Sequence, residues 1–211
     1  MTRGNRSPLL LIAALLASAC SESPLIITNP PDDDEKETVE LSFLRQDGIA
    51  PPLLTTDTTF VATRGQDLEV ELFYAAPGGG RGEEFLEFEL DDESLLTYPA
   101  GHPRAGQSFV DGDTISIRIS IDPALLIATM EPAGLLFNPQ EPAELEMRYL
   151  NADEDYDDDG EDDPPESEDR IDLWRQEMPS DPWERVGDIK DADLDRIRAF
   201  LTSFSRYALA I

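Results

Sequence analysis

The chain has little with which to do thiol, redox or multi-ligand metal chemistry. Its 211 residues include one cysteine, Cys20, and one histidine, His102. An internal disulfide framework, a thiolate zinc cluster and a multi-histidine metal site are therefore excluded. Basic residues are also scarce, 16 against 46 acidic ones, for a formal charge of −30. A surface of that sign repels nucleic acid. No apolar run reaches the roughly 20 residues that a bilayer-spanning helix needs. There is no G-x-S-x-G nucleophile elbow and no glycine-rich phosphate cradle. What is present suffices to fold: 40% of residues are hydrophobic and 8% aromatic, enough for one core with tails.

The N-terminus pairs a short basic stretch, with Arg3 and Arg6, with the uncharged run Leu9-Leu10-Leu11-Ile12-Ala13-Ala14-Leu15-Leu16. That is the length of an export-signal core. The run closes on Leu16-Ala17-Ser18-Ala19-Cys20, small residues leading into the only cysteine, and this resembles the lipobox of bacterial lipoproteins. Ala17 departs from the leucine usual there. The resemblance implies cleavage before Cys20, lipidation of Cys20 and anchoring to the cell envelope through the N-terminal lipid. Ser21 in place of an aspartate then favours the outer membrane of a two-membrane bacterium. An ordinary secretory signal cut after Ala19 is the competing reading. Loss of residues 1–19 would leave 14 basic and 46 acidic side chains, a charge of −32, which anionic headgroups repel. Residues 20–37, with Pro30-Pro31 and the run Asp32-Asp33-Asp34-Glu35, read as an extended linker.

From residue 38 the pattern becomes period-two alternation. Val39–Phe43, Asp67–Tyr74, Glu84–Leu90, Thr114–Ile121 and Glu144–Tyr149 each place apolar residues on one face and polar residues on the other. Asp47-Gly48, Pro77-Gly78-Gly79-Gly80 and Asp111-Gly112 punctuate them as turns. The expected fold is all-β, an antiparallel β-sandwich over residues 38–211. One short C-terminal helix is predicted at Asp191–Leu201, where Leu194, Ile197 and Leu201 share a helical face. Three segments, Leu96–Gly101, Asp113–Ile117 and Glu131–Pro139, are similar in order to the strand-PAG-strand-PxGxxFxxP pattern of ZU5-type domains, and Phe204–Ala210 resembles their closing strand. That likeness implies an interaction or scaffold module; an immunoglobulin-like sandwich is the alternative.

Residues 151–169 form a long acidic loop with 12 acids in 19 residues. Within it, Asp155-x-Asp157-x-Asp159-Gly160 followed by Glu166 has the spacing by which a turning backbone wraps oxygens around one hard cation. It resembles an EF-hand loop and also thrombospondin-type calcium repeats. The likeness implies a Ca2+ site of Asp155, Asp157, Asp159, Glu161 through its backbone oxygen, Asp163 and Glu166. Asp162 at the usual apolar position, Pro164-Pro165 and the lack of flanking amphipathic helices all depart from a paired EF-hand. The alternative is a solvated connector.

No catalytic activity is expected. His102 with Ser94 or Ser108 is a poor nucleophile set, and carboxylate pairs are too numerous to be informative. Trp174, Trp183, Tyr98 and Tyr207 are candidates for a carbohydrate-stacking platform, or for core. The reading is a lipid-anchored binding or structural module of the envelope, with an envelope protein or polysaccharide as partner. An envelope hydrolase with clustered carboxylates and a passive accessory lipoprotein are the alternatives.

Overall fold

A computed structural model describes residues 41–156, 160–187 and 189–211. The signal and linker stretches, Cys20 and the start of the first expected strand lie outside them. Thirteen strands follow in chain order: β1 (Asp57–Thr63), β2 (Leu68–Ala75), β3 (Arg81–Leu90), β4 (Leu95–Thr97), β5 (Thr114–Asp122), β6 (Ile127–Glu131), β7 (Leu136–Phe137), β8 (Ala143–Arg148), β9 (Asp172–Gln176), β10 (Glu184–Arg185), β11 (Ile189–Asp191), β12 (Arg196–Leu201) and β13 (Arg206–Ala210). They form a six-stranded sheet ordered β1-β5-β6-β13-β9-β10, a five-stranded sheet ordered β11-β12-β8-β3-β2, and the small pair β4-β7. Every pairing is antiparallel. This is the expected β-sandwich.

Alternation supplies the core. Ile115, Ile117, Ile119 and Ile121 of β5 are buried while Thr114 before them and Ser116 and Arg118 between them are exposed. Opposite them the five-stranded sheet contributes Leu72, Phe88, Leu145, Met147 and Ile197. Phe88 is the meeting point: its ring lies 6.3 Å from Phe60 of the other sheet, 5.5 Å from Phe204 and 6.5 Å from Phe137. Tilted aromatic packing of this kind joins the layers.

The C-terminal helix is not formed. Ala192–Leu194 make one 3-10 turn, Asp195 takes a left-handed conformation at φ 49°, and Arg196–Leu201 continue as β12. The helical reading joined Leu194 to Ile197 and Leu201, but Leu194 is 48% exposed and the buried set is Ile197, Ala199 and Leu201, a period of two. Strand pairing wins because β12 covers β8 over six residue pairs, Arg196↔Arg148 to Leu201↔Ala143. A helix there would leave the β8 ladder open on one side.

Candidate functional site

Three features of the described surface carry chemistry: the outer face of the five-stranded sheet, the acidic loop, and a groove beside β1.

On the outer sheet face the register sets like charges against each other. Glu69 faces Glu89 and Glu71 faces Glu87 between β2 and β3, and Glu87 faces Glu146 and Glu89 faces Glu144 between β3 and β8. Direct like-charge opposition destabilises a sheet. Arginines relieve it mainly at the β8–β12 side, and Arg81 reaches Glu71 at 3.5 Å on the β2–β3 side. Glu146, 3% exposed at its side chain, lies 3.2 Å from Arg196, 3.2 Å from Arg198 and 3.6 Å from Arg148. Arg148 also reaches Glu84 at 3.1 Å, Arg198 reaches Glu144 at 3.1 Å, and Arg196 reaches Asp191 at 3.2 Å. Glu87 has none of these cations beside it. Burial first, then Glu84, the side chain of Glu89 and Glu146, push its carboxyl up to about 7. Carboxylate oxygens of Glu69, Glu87 and Glu89, and of Glu84, Glu87 and Glu146, approach one another within 4.8 Å.

The acidic loop is better anchored than a solvated connector. Tyr156 is 7% exposed and belongs to the core. The Asp163 carboxylate accepts the Tyr156 N–H at 3.0 Å and the Ser167 hydroxyl at 3.1 Å, while the Asp163 N–H donates to the Glu154 carbonyl at 2.8 Å. Lys190 reaches across to the carbonyls of Glu168 and Ile171. Burial, then Asp195 and Glu168, push the Tyr149 phenol up to about 12; Tyr156 reaches the same range through burial, Glu168 and Glu154. The expected turn glycine, Gly160, has φ 90°, and its N–H donates to Asp155 at 2.9 Å.

Of the expected calcium ligands, Asp157 and Asp159 lie outside the described residues. Glu161 and Glu166 are exposed, the latter in the 3-10 turn Pro165–Arg170. Among the described residues, the carboxylate groups close enough to share a cation are those on the sheet, and none is in the loop. Asp163 fastens the loop to itself. Asp163→Ala is expected to lower stability by about 1 kcal/mol, the value of lost hydrogen bonds to a partly solvated carboxylate. Limited proteolysis should then cut between residues 157 and 166 faster than in the parent.

No family model, curated protein or solved structure matches the chain. The segments that resemble ZU5-type domains fall at the exit of β4, the start of β5, the β6–β7 connection and β13.

The candidate nucleophiles serve structure. Ser94 is fully buried and its hydroxyl accepts the Asp91 N–H at 2.9 Å. Ser108 is exposed, and its backbone bridges to Thr97. His102 stacks on Tyr98 at 4.4 Å and 13°, and its Nδ1 accepts the Arg104 N–H at 3.1 Å. Phe109 stacks on Tyr98 at 3.7 Å, and Arg104 ties the loop down by donating to the Tyr98 hydroxyl at 2.8 Å and pairing with Asp113 at 2.7 Å. That pairing holds the Asp113 carboxyl at about 2.

The four aromatics do not form a platform. Tyr98 and Tyr207 are buried, Trp174 donates its indole N–H to the Ala210 carbonyl at 3.2 Å, and Trp183 packs on Phe43 at 5.1 Å.

Loop 98–113 walls a groove that sequence reasoning missed. It is lined by Val61, Pro99–Pro103, Thr114–Ser116 and Pro132, and this lining contains no carboxylate. The available signal was the uncharged Thr58-Thr59-Phe60-Val61-Ala62-Thr63 within an acidic chain.

Proposed function

We propose that this chain is a lipid-anchored, non-catalytic binding module of the cell envelope. The observation that carries the reading is the position of Cys20, the only cysteine, directly after an export-signal core and three small residues. Lipidation there tethers the sandwich, and the acidic stretch before residue 38 sets it off the bilayer, because its charge opposes anionic headgroups. Multiple acyl chains on one N-terminus hold firmly where a single chain binds reversibly. The described surface supports binding over catalysis: His102 is stacked and hydrogen-bonded within its own loop, Ser94 caps a turn, and the recess that His102 helps line has prolines, Val61, Ile115 and small side chains around it and no carboxylate.

The test is Cys20→Ser in a bacterial host that processes lipoproteins. The parent chain should sediment with membranes and enter the detergent phase. The variant is expected to leave the membrane fraction almost entirely. A variant that stays membrane-bound to the same extent overturns the reading.

A further inference from the structure

We infer that β1 is a docking edge, and that its occupant is an extended, uncharged peptide segment of another protein, with basic residues at its ends, added to the six-stranded sheet as a further strand. This rests on the binding-module reading and names the place and the chemistry of the partner.

The hydrogen-bond phase of β1 is fixed at both ends. The Ile121 N–H donates to the Thr56 carbonyl at 2.8 Å and the Arg64 N–H donates to the Asp113 carbonyl at 2.9 Å, with unbroken register between. Even-numbered residues therefore turn their N–H and C=O toward β5, and odd-numbered residues turn theirs outward. Asp57 is satisfied locally by Thr55, and the Thr63 carbonyl by the Gln66 N–H at 3.2 Å. The N–H and C=O of Thr59 and Val61 and the N–H of Thr63 remain as an open ladder, since β1 ends the sheet among the described residues.

The other sheet edges are protected in the ways proteins usually protect them. β10 has two residues and β11 three. β2 is covered at its C-terminal end by the segment before β1, through the Leu54 N–H to the Phe73 carbonyl at 2.8 Å and the Ala75 N–H to the Pro52 carbonyl at 2.8 Å, and the rest of it carries the acidic Glu69 and Glu71 and a bulge after Leu72. β1 is seven residues long with no proline, lysine or bulge. Its outward side chain Val61 is 60% exposed.

Charge selects the occupant. β1 carries no charged residue from Thr58 to Thr63 on a chain of net charge −30, so the middle of the guest strand lies beside uncharged side chains while the surrounding field favours cations at its ends. The same field opposes a second copy of this chain. Main-chain bonds then give affinity, and the exposed Val61 between Thr59 and Thr63 favours small apolar side chains on that face of the guest.

The test measures fluorescence polarisation of a labelled Lys-(Thr-Val)3-Lys peptide against the full chain. Three comparisons accompany it: the same peptide N-methylated at every interior residue, the Val61→Pro variant, and sedimentation of the chain alone. Proline at an edge position whose N–H faces outward leaves the internal ladder intact, and the methylated peptide asks the same question without altering the protein. Saturable binding in the range of about 10 µM to 1 mM is expected, weakened at least about tenfold by either change. Absence of saturable binding up to about 2 mM overturns the inference. So does equal affinity for the methylated peptide, or a chain dimer that Val61→Pro dissolves. Anchoring through Cys20 is read separately by membrane fractionation, so either statement can fail alone.

Discussion

Glu146→Ala is expected to lose about 3 kcal/mol of folding stability, the lower end of what removing one partner from a buried ion pair costs. The lower end applies because the arginines can still reach water: their side chains are 23% to 36% exposed, whereas Glu146 is 3% exposed. Without Glu146 the guanidinium groups of Arg148, Arg196 and Arg198 converge on a vacated space, with Glu84, Asp191 and Glu144 as remaining partners at its margin. In a domain of this size the loss corresponds to a fall in Tm of roughly 6–12 °C. Because the pair is shielded, the loss should persist in high salt, unlike that of an exposed pair. Thermal and urea unfolding at low and high ionic strength check it, and a loss under about 1 kcal/mol in both would contradict the assignment.

Glu87→Gln, one strand away, should do the opposite and stabilise the protein at neutral pH. The folded-state carboxyl is raised from 4.5 to about 7, so between those values the folded chain holds a proton that the unfolded chain has released. Stability from this group is therefore lost as pH rises through that window. Above it Glu87 stands ionised against Glu71 and Glu146 in the register and beside Glu84 and Glu89. Allowing for its partial solvent contact, removing the charge should gain about 1–2 kcal/mol at pH 8. Near pH 3.5, below both values, the two proteins should melt together, because the parent is largely protonated there in both states. Melting curves of both from pH 3.5 to 8 measure this, and a gain independent of pH would sink it.

The contrast between Glu87 and Glu146 shows what the sequence disclosed and what it could not. Alternation in Glu84–Leu90 and Glu144–Tyr149 identified both as outward-facing strand residues, because burial on one sheet face imposes a period of two. Which glutamate sits beside an arginine depends on register and strand order, and two of the three arginines on Glu146 come from Arg196–Leu201, where Leu194, Ile197 and Leu201 also fit a helical face. Only the demand of β8 for a paired neighbour decides between them. β6 (Ile127–Glu131) escaped notice because it runs on from Leu125-Leu126, a continuous apolar stretch through Ala128 that masks the brief alternation of Ala128, Thr129, Met130 and Glu131. In the acidic loop the turn at Gly160 was legible from its composition, but the anchoring of Tyr156 in the core and the bonds of Asp163 were not. The edge at Val61 was invisible because strand order, and not local pattern, leaves it unpaired.

Intact mass and fragmentation of the N-terminal peptide, taken from the membranes of cells expressing the full chain, test the central claim most directly. The account predicts a mature chain that begins at Cys20 and carries acyl chains, with no free thiol at that residue. A chain beginning at Cys20 with an unmodified thiol, or beginning after Cys20, and recovered in the soluble fraction, would contradict it.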